Sequence, residues 1–166
     1  MCKKISKLIY YNNYNILNNI MNKLHQPKQN QDNSNPIVTK NVISSIESRD
    51  KFLEILKVNP GLFIMKLGAP WCGPCKQIAP IIDAFFGSSP KNVLCADINV
   101  DESFDLYSFL KSKRMVNGIP AILCYQRGNV GYVPNDMVTG ADPDGLHSFF
   151  KRCGTHLNQV IKNSQQ

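Results

Sequence analysis

The chain has 166 residues, 43% of them apolar and 19% charged, which fits one globular domain and excludes disorder throughout. No stretch approaches the roughly 18 consecutive apolar residues of a membrane helix, so a spanning protein is excluded and a soluble one expected. The formal charge is +7, yet residues 1–35 hold five lysines (Lys3, Lys4, Lys7, Lys23, Lys28) against the single acid Asp32, leaving fourteen bases and eleven acids elsewhere. That balance argues against nucleic acid as a partner.

Residues 1–35 read as a basic, Asn- and Lys-rich extension with little order, and residues 36–166 as the folded domain. Within the extension Ile5, Leu8, Ile9, Ile16, Leu17, Ile20, Met21 and Leu24 recur at roughly helical spacing, which suits a membrane-surface segment or an organelle presequence. The stretch before Gln26 contains no Arg and a single Ser, Ser6, which argues against a transit peptide. From Gln26 to Pro36 apolar residues vanish, as in a linker. Six cysteines occur without a secretory signal pattern, so the thiols are expected to be mostly reduced and the protein intracellular and cytoplasmic. Organelle targeting or a viral origin stays open.

From Ile37 onward apolar runs and helical patterns alternate. A short strand is predicted near Val42 and Ile43, then a helix over Arg49–Val58 with Ser48 as N-cap and Phe52, Leu53 and Leu56 inward. Asn59-Pro60-Gly61 ends it. Leu62–Leu67 reads as a buried strand, and the next helix runs through Phe86 with Pro80 inside it, where a bend is expected. A strand over Val93–Val100, a helix over Ser103–Lys113 and a strand over Ala121–Gln126 follow. Arg127-Gly128-Asn129 marks a hairpin turn into a strand at either Val130–Tyr132 or Met137–Thr139. Asp142-Pro143 supplies an N-cap and an N1 proline for a last helix burying Leu146, Phe149, Phe150, Cys153 and Leu157. The order βαβαβαββα predicts an α/β fold, a mixed sheet with helices on both faces.

Chemistry concentrates in Trp71-Cys72-Gly73-Pro74-Cys75-Lys76, where a buried strand hands over to a helix. At a helix N-terminus the free N–H groups and the helix dipole favour thiolate, so the Cys72 thiol is expected below the usual value of about 8.5. Cys75 lies about one turn on, close enough to close a small disulfide ring. Cys72 is expected to be the exposed attacker and Cys75 the shielded resolver: Cys72 forms a mixed disulfide with a substrate, and Cys75 releases it. Half of a zinc site is the main metal alternative, but no second C-x-x-C or H-x₃₋₅-H accompanies it, so no metal is expected. A permanently closed structural disulfide is another alternative. Cys95, Cys124 and Cys153 read as core thiols, Cys2 as a tail residue, and His25, His147 and His156 as surface residues.

The whole string, with Ile78-Ala79-Pro80 in the helix and Gly118-Ile119-Pro120 before a later strand, resembles the thioredoxin family over about Ile37–Val160. The resemblance implies a thioredoxin-like fold and a dithiol-disulfide oxidoreductase. It makes Ile119-Pro120 a cis peptide against the disulfide, a bond that proline alone makes cheap. It places Trp71, Gly73, Pro74, Ile119, Pro120 and Gly140 around a substrate groove. Gly73-Pro74 between the cysteines resembles the reducing members, which implies protein-disulfide reduction, disulfide-containing protein substrates and no bound cofactor. A flavin-dependent reductase drawing on NADPH, or glutathione, would return the electrons, and a monomer is expected. The rival readings are a disulfide isomerase or oxidant, and a non-catalytic binding module using the Pro120 groove.

Several positions depart from the family pattern. Where relatives carry a buried carboxylate on the strand before the motif this chain has Lys66, and where they carry a lysine on the neighbouring strand it has Asp97. A swapped ion pair is expected, because either charge alone is costly to bury. Asp97 would then accept the Cys75 proton while Lys66 favours thiolate nearby. The alternative is that Lys66 snorkels outward. Gly68 stands where an aromatic shield is common, Ala121 where threonine is usual, and Tyr132–Asp136 lengthen the last hairpin. These three are expected to alter groove shape and partner choice.

Overall fold

The structure, a computed structural model, describes residues 42–163. The extension over residues 1–35, with Cys2 and His25, lies outside the described residues, as does the expected domain start at residue 36. The elements in order are α1 (Arg49–Lys57), β1 (Leu62–Gly68), α2 (Gly73–Ser88), β2 (Val93–Asn99), α3 (Phe104–Ser112), β3 (Ala121–Gln126), β4 (Asp136–Thr139) and α4 (Pro143–Asn163). The sheet order is β2-β1-β3-β4, with β1 parallel to β2 and antiparallel to β3, and β4 antiparallel to β3. This is the thioredoxin-like arrangement.

Most boundaries follow local chemistry. Ser48 accepts the Lys51 N–H and caps α1, and the Asp142 carboxylate accepts the N–H groups of Asp144 and Gly145 to start α4. Helix α2 continues past Pro80 to Ser88. Two expectations change. Among the described residues the predicted first strand is a single bridge, Ile43 to Ala96, in which the Ile43 N–H bonds the Cys95 carbonyl and the Ile43 carbonyl accepts the Asp97 N–H. Of the two candidate hairpin strands, the later one pairs, as β4. Asn129 and Asn135 satisfy the backbone before it: Asn129 Nδ2 donates to the Val133 carbonyl and Asn135 Oδ1, which also accepts the Gln126 N–H.

The two faces of the sheet bury two separate cores. On β1 the period of two sends Phe63, Met65 and Leu67 toward α1 and α3, with Phe52, Leu56, Leu106, Leu110 and Tyr125. Leu62 and Ile64 point the other way, toward Ile78, Ile82 and Phe86 of α2 and Leu146, Phe149 and Cys153 of α4. The same alternation puts Lys66 and Gly68 on this second face, at the end of the strand that feeds α2. A charged residue thus sits in line with a core stripe directly beneath the motif.

Candidate active site

The turn from β1 into α2 sets the cysteines. The Cys72 N–H bonds the Ala69 carbonyl, Cys72 is the N-cap of α2, and Pro74 occupies the first turn, where its missing N–H costs nothing. A disulfide joins Cys72 to Cys75, whose Cα atoms are 5.2 Å apart, and the Cys75 N–H points at Cys72 Sγ at 3.2 Å. A helix N-terminus therefore faces the sulfur expected to attack. The predicted contrast in exposure is small in this disulfide form: Cys72 is 5% exposed and Cys75 3%. Gly73 and Pro74 are exposed beside them.

Ile119-Pro120 is a cis peptide. Pro120 is buried and Ile119 half-buried, and the Pro120 carbonyl accepts the N–H of Gly140 at 2.9 Å. Gly140 has φ +85°, the left-handed region that suits glycine. Trp71 is 68% exposed, its ring held by a 2.8 Å hydrogen bond from Nε1 to Asp101 Oδ2. Asp101 was not singled out by the sequence reading. Water could satisfy an exposed indole N–H, and nothing in the spacing points to the loop that supplies Asp101.

Lys66 and Asp97 are direct neighbours in the β1–β2 register. The Lys66 ammonium donates to both Asp97 carboxylate oxygens, at 2.8 and 3.0 Å, with the Lys66 side chain 11% and the Asp97 side chain 40% exposed. The lysine turns into the protein toward its carboxylate, not outward. Both residues line one cavity with Cys75.

The remaining candidates lie away from this chemistry. Cys95, Cys124 and Cys153 are buried in the core of the second face. A hydrogen bond with Cys124, then burial, push the Cys153 thiol far above its usual range, so it stays protonated. The histidines depart from a surface reading: His147 and His156 are half-buried, and His147 Nε2 is covered without a hydrogen-bond partner among the described residues. Among the described residues no cluster of three or more His, Cys, Asp or Glu side chains could hold a metal, and no helix is long and apolar enough to cross a membrane.

A strand-to-helix dithiol site and a cis proline leading into β3, on a mixed sheet with helices on both faces, define a thioredoxin-like protein. The thioredoxin family profile matches residues 43–152, more than half of the chain, and the chain belongs to the thioredoxin family. It is 30% identical over 90 residues to the chloroplastic M-type thioredoxin of Chlamydomonas reinhardtii, a match covering 51% of this chain and 61% of the algal protein. It is 34% identical over 77 residues to a thioredoxin of Pseudomonas aeruginosa, covering 46% of this chain and 67% of the bacterial one. The chain thus spans less than two thirds of the algal relative. Among solved structures, a thioredoxin of Nicotiana alata superposes with a TM-score of 0.52 at 25% identity, covering 76% of this chain and 98% of that one.

Proposed function

We propose that this chain is a thiol-disulfide oxidoreductase that reduces protein disulfides. Cys72 attacks the substrate disulfide and Cys75 resolves the mixed disulfide, leaving the Cys72–Cys75 pair oxidised and the substrate reduced. The observation that carries the reading is the disulfide itself, closed at the N-terminus of α2 with the Cys75 N–H on Cys72 Sγ. That N–H and the helix dipole favour Cys72 as thiolate, which is both the nucleophile and the better leaving group. Cys75, one turn deeper, keeps its proton until a neighbour takes it, and Asp97, held by Lys66, is the carboxylate proposed for that task. Trp71, Gly73, Pro74, Ile119, Pro120 and Gly140 form the substrate groove. Since Gly140 engages the Pro120 carbonyl, the backbone of Ile119 is the part offered to an extended substrate segment.

The electrons reside in the dithiol, so the reading calls for no bound cofactor. A reductase drawing on NADPH, or glutathione, would restore the pair, and the protein would act as a cytoplasmic monomer. The chloroplastic name of the algal relative makes an organelle the competing location.

The test is reduction of the interchain disulfides of insulin with dithiothreitol as electron source. The wild type is expected to accelerate it, Cys72→Ser to abolish the acceleration, and Cys75→Ser to accumulate mixed disulfides. Acceleration that survives Cys72→Ser would remove the reading. The direction of traffic is read from the reduction potential in glutathione buffers: a value near −270 mV, about that of ordinary thioredoxin, fits a reductase, and one near −180 mV or above, about that of an isomerase, assigns the chain to disulfide formation.

A further inference from the structure

A cavity of about 270 Å³ opens beside the disulfide, with Lys66, Gly68, Pro70, Cys75, Lys76 and Asp97 in its wall. Cys75 lines it and Cys72 does not. The cavity exists because residue 68 lacks a side chain. A Cβ placed on Gly68 would stand 3.4 Å from Cys75 Sγ, 3.2 Å from Lys66 Cε and 3.5 Å from Lys66 Nζ, so a larger side chain would fill the space between sulfur and ammonium. Gly68 is not among the glycines with positive φ, so its backbone does not require glycine. What glycine supplies at this position is access.

Three features of the cavity select a ligand. Its volume falls just below the range of about 300–1,000 Å³ usual for small-molecule sites, which suits a molecule of amino-acid size. Lys66 and Lys76 face it against one carboxylate, Asp97, so an anion is favoured over a cation. Its reactive atom is the sulfur of Cys75, and a thiolate is the small nucleophile that disulfide sulfur accepts.

We infer that this cavity is an entry site for a small anionic thiol, which opens the disulfide at Cys75. The inference rests on the reading that the Cys72–Cys75 pair cycles between disulfide and dithiol. Exchange rates depend on which sulfur is attacked and rise as the leaving thiol becomes more acidic. Attack on Cys75 expels Cys72, the sulfur at the helix N-terminus that already faces the Cys75 N–H at 3.2 Å. Attack on Cys72 would instead expel Cys75, one turn further into α2 and away from the helix N-terminus. Leaving-group chemistry therefore favours Cys75, and the space left by Gly68 supplies the approach.

The step balances as two exchanges. The incoming thiolate forms a sulfur–sulfur bond with Cys75 Sγ, the Cys72–Cys75 bond breaks, and its electron pair leaves on Cys72 as thiolate. A second small thiolate then attacks the bound small-molecule sulfur, forming a free small-molecule disulfide, and Cys75 leaves and takes a proton from solvent. Two thiols are oxidised to one disulfide while the protein pair is reduced.

The experiment mixes the oxidised full-length protein with 3-mercaptopropionate, quenches with acid at early times, and locates the adduct by fragmentation mass spectrometry. The adduct is expected mainly on Cys75, with Cys72 free. Gly68→Leu is expected to slow opening about tenfold and move the adduct to Cys72, as access to one sulfur is withdrawn. Should Gly68→Leu misfold by circular dichroism, Gly68→Ala gives a smaller change in the same direction, since its Cβ meets a flexible lysine chain. Cysteamine, compared per thiolate, is expected to react more slowly than 3-mercaptopropionate. An adduct mainly on Cys72 in the wild type overturns the inference, as does an adduct position that neither Gly68 variant changes. Insulin reduction by the same preparation separates the cases: if it proceeds while the adduct sits on Cys72, only the entry site falls, and if it fails, the oxidoreductase reading falls with it.

Discussion

The Lys66 ammonium bonds both carboxylate oxygens of Asp97, its register partner across the parallel β1–β2 pair, and the two partners differ in burial, 11% against 40% exposed. That asymmetry predicts unequal costs when the pair is broken. Asp97→Asn leaves a nearly buried ammonium without its counter-charge, whereas Lys66→Met leaves a carboxylate that water still reaches. Removing one partner of a fully buried pair costs about 3–5 kcal/mol. With solvent at Asp97, about 1–3 kcal/mol is expected for Asp97→Asn and about 1 kcal/mol or less for Lys66→Met. Urea unfolding reads both, and the double reversal Lys66→Asp with Asp97→Lys should recover most of the loss. Equal costs would mean that the lysine head is as well hydrated as the carboxylate.

The same pair predicts a kinetic effect separate from stability. If Asp97 takes the proton of Cys75, Asp97→Asn slows release of the mixed disulfide while the first attack by Cys72 keeps its rate. A general base contributes about 10²–10⁴-fold when it acts in the transition state. With water able to substitute at a partly exposed carboxylate, a smaller loss of about tenfold is expected. Stopped-flow measurement of both phases over a range of pH checks it, since a purely structural role would slow both phases or neither. An unchanged second phase removes Asp97 from the mechanism.

The pair was legible before the fold because the resembled family's sheet places the two strands side by side, and each charge makes sense only with the other. The Asp142 cap and the core stripe of α4 were legible for a different reason, since both are local patterns of a few residues. What escaped was set by distant packing. Among the described residues the first strand is one bridge, Ile43 to Ala96, held to β2 by two backbone bonds. Asp101 reaches Trp71 from a loop thirty residues on, and no local pattern joins them. Gly68 was visible as a departure, but the cavity it opens depends on where Lys66 and Cys75 turn.

The Trp71–Asp101 bond predicts a specificity effect. The ring is 68% exposed and tied by one hydrogen bond at 2.8 Å, so its position depends on that acceptor. Loss of a hydrogen bond to a charged acceptor is worth about 1.5–3 kcal/mol at most, and less in water. Asp101→Ala is therefore expected to raise KM for a protein disulfide about three- to tenfold with little change in kcat. Steady-state insulin reduction gives the split, and Asp101→Glu should restore part of the loss. A fall in kcat alone would place Asp101 in the chemistry and not in positioning.

Cys153 and Tyr125 predict how stability responds to alkali. A hydrogen bond with Cys124, followed by burial, raises the Cys153 thiol, and burial raises the Tyr125 phenol, in each case by favouring the neutral form in the folded state. A folded value above the unfolded one means that stability is fully present below the unfolded value and is lost as pH climbs past it, because the unfolded chain releases a proton that the folded chain retains. The loss should begin near the ordinary thiol value of about 8.5 with Cys153, and steepen near about 10 when Tyr125 joins. Each group contributes at most about 1.4 kcal/mol per pH unit. Urea titrations at pH 7.5, 8.5 and 9.5 should therefore show a falling stability that Cys153→Ala makes shallower, as about one fewer proton is released on unfolding. The absolute stability of Cys153→Ala will drop from the lost packing, so the slope, not the midpoint, is the readout. Parallel slopes for the two proteins would show that the thiol ionises as freely in the folded core as in the unfolded chain.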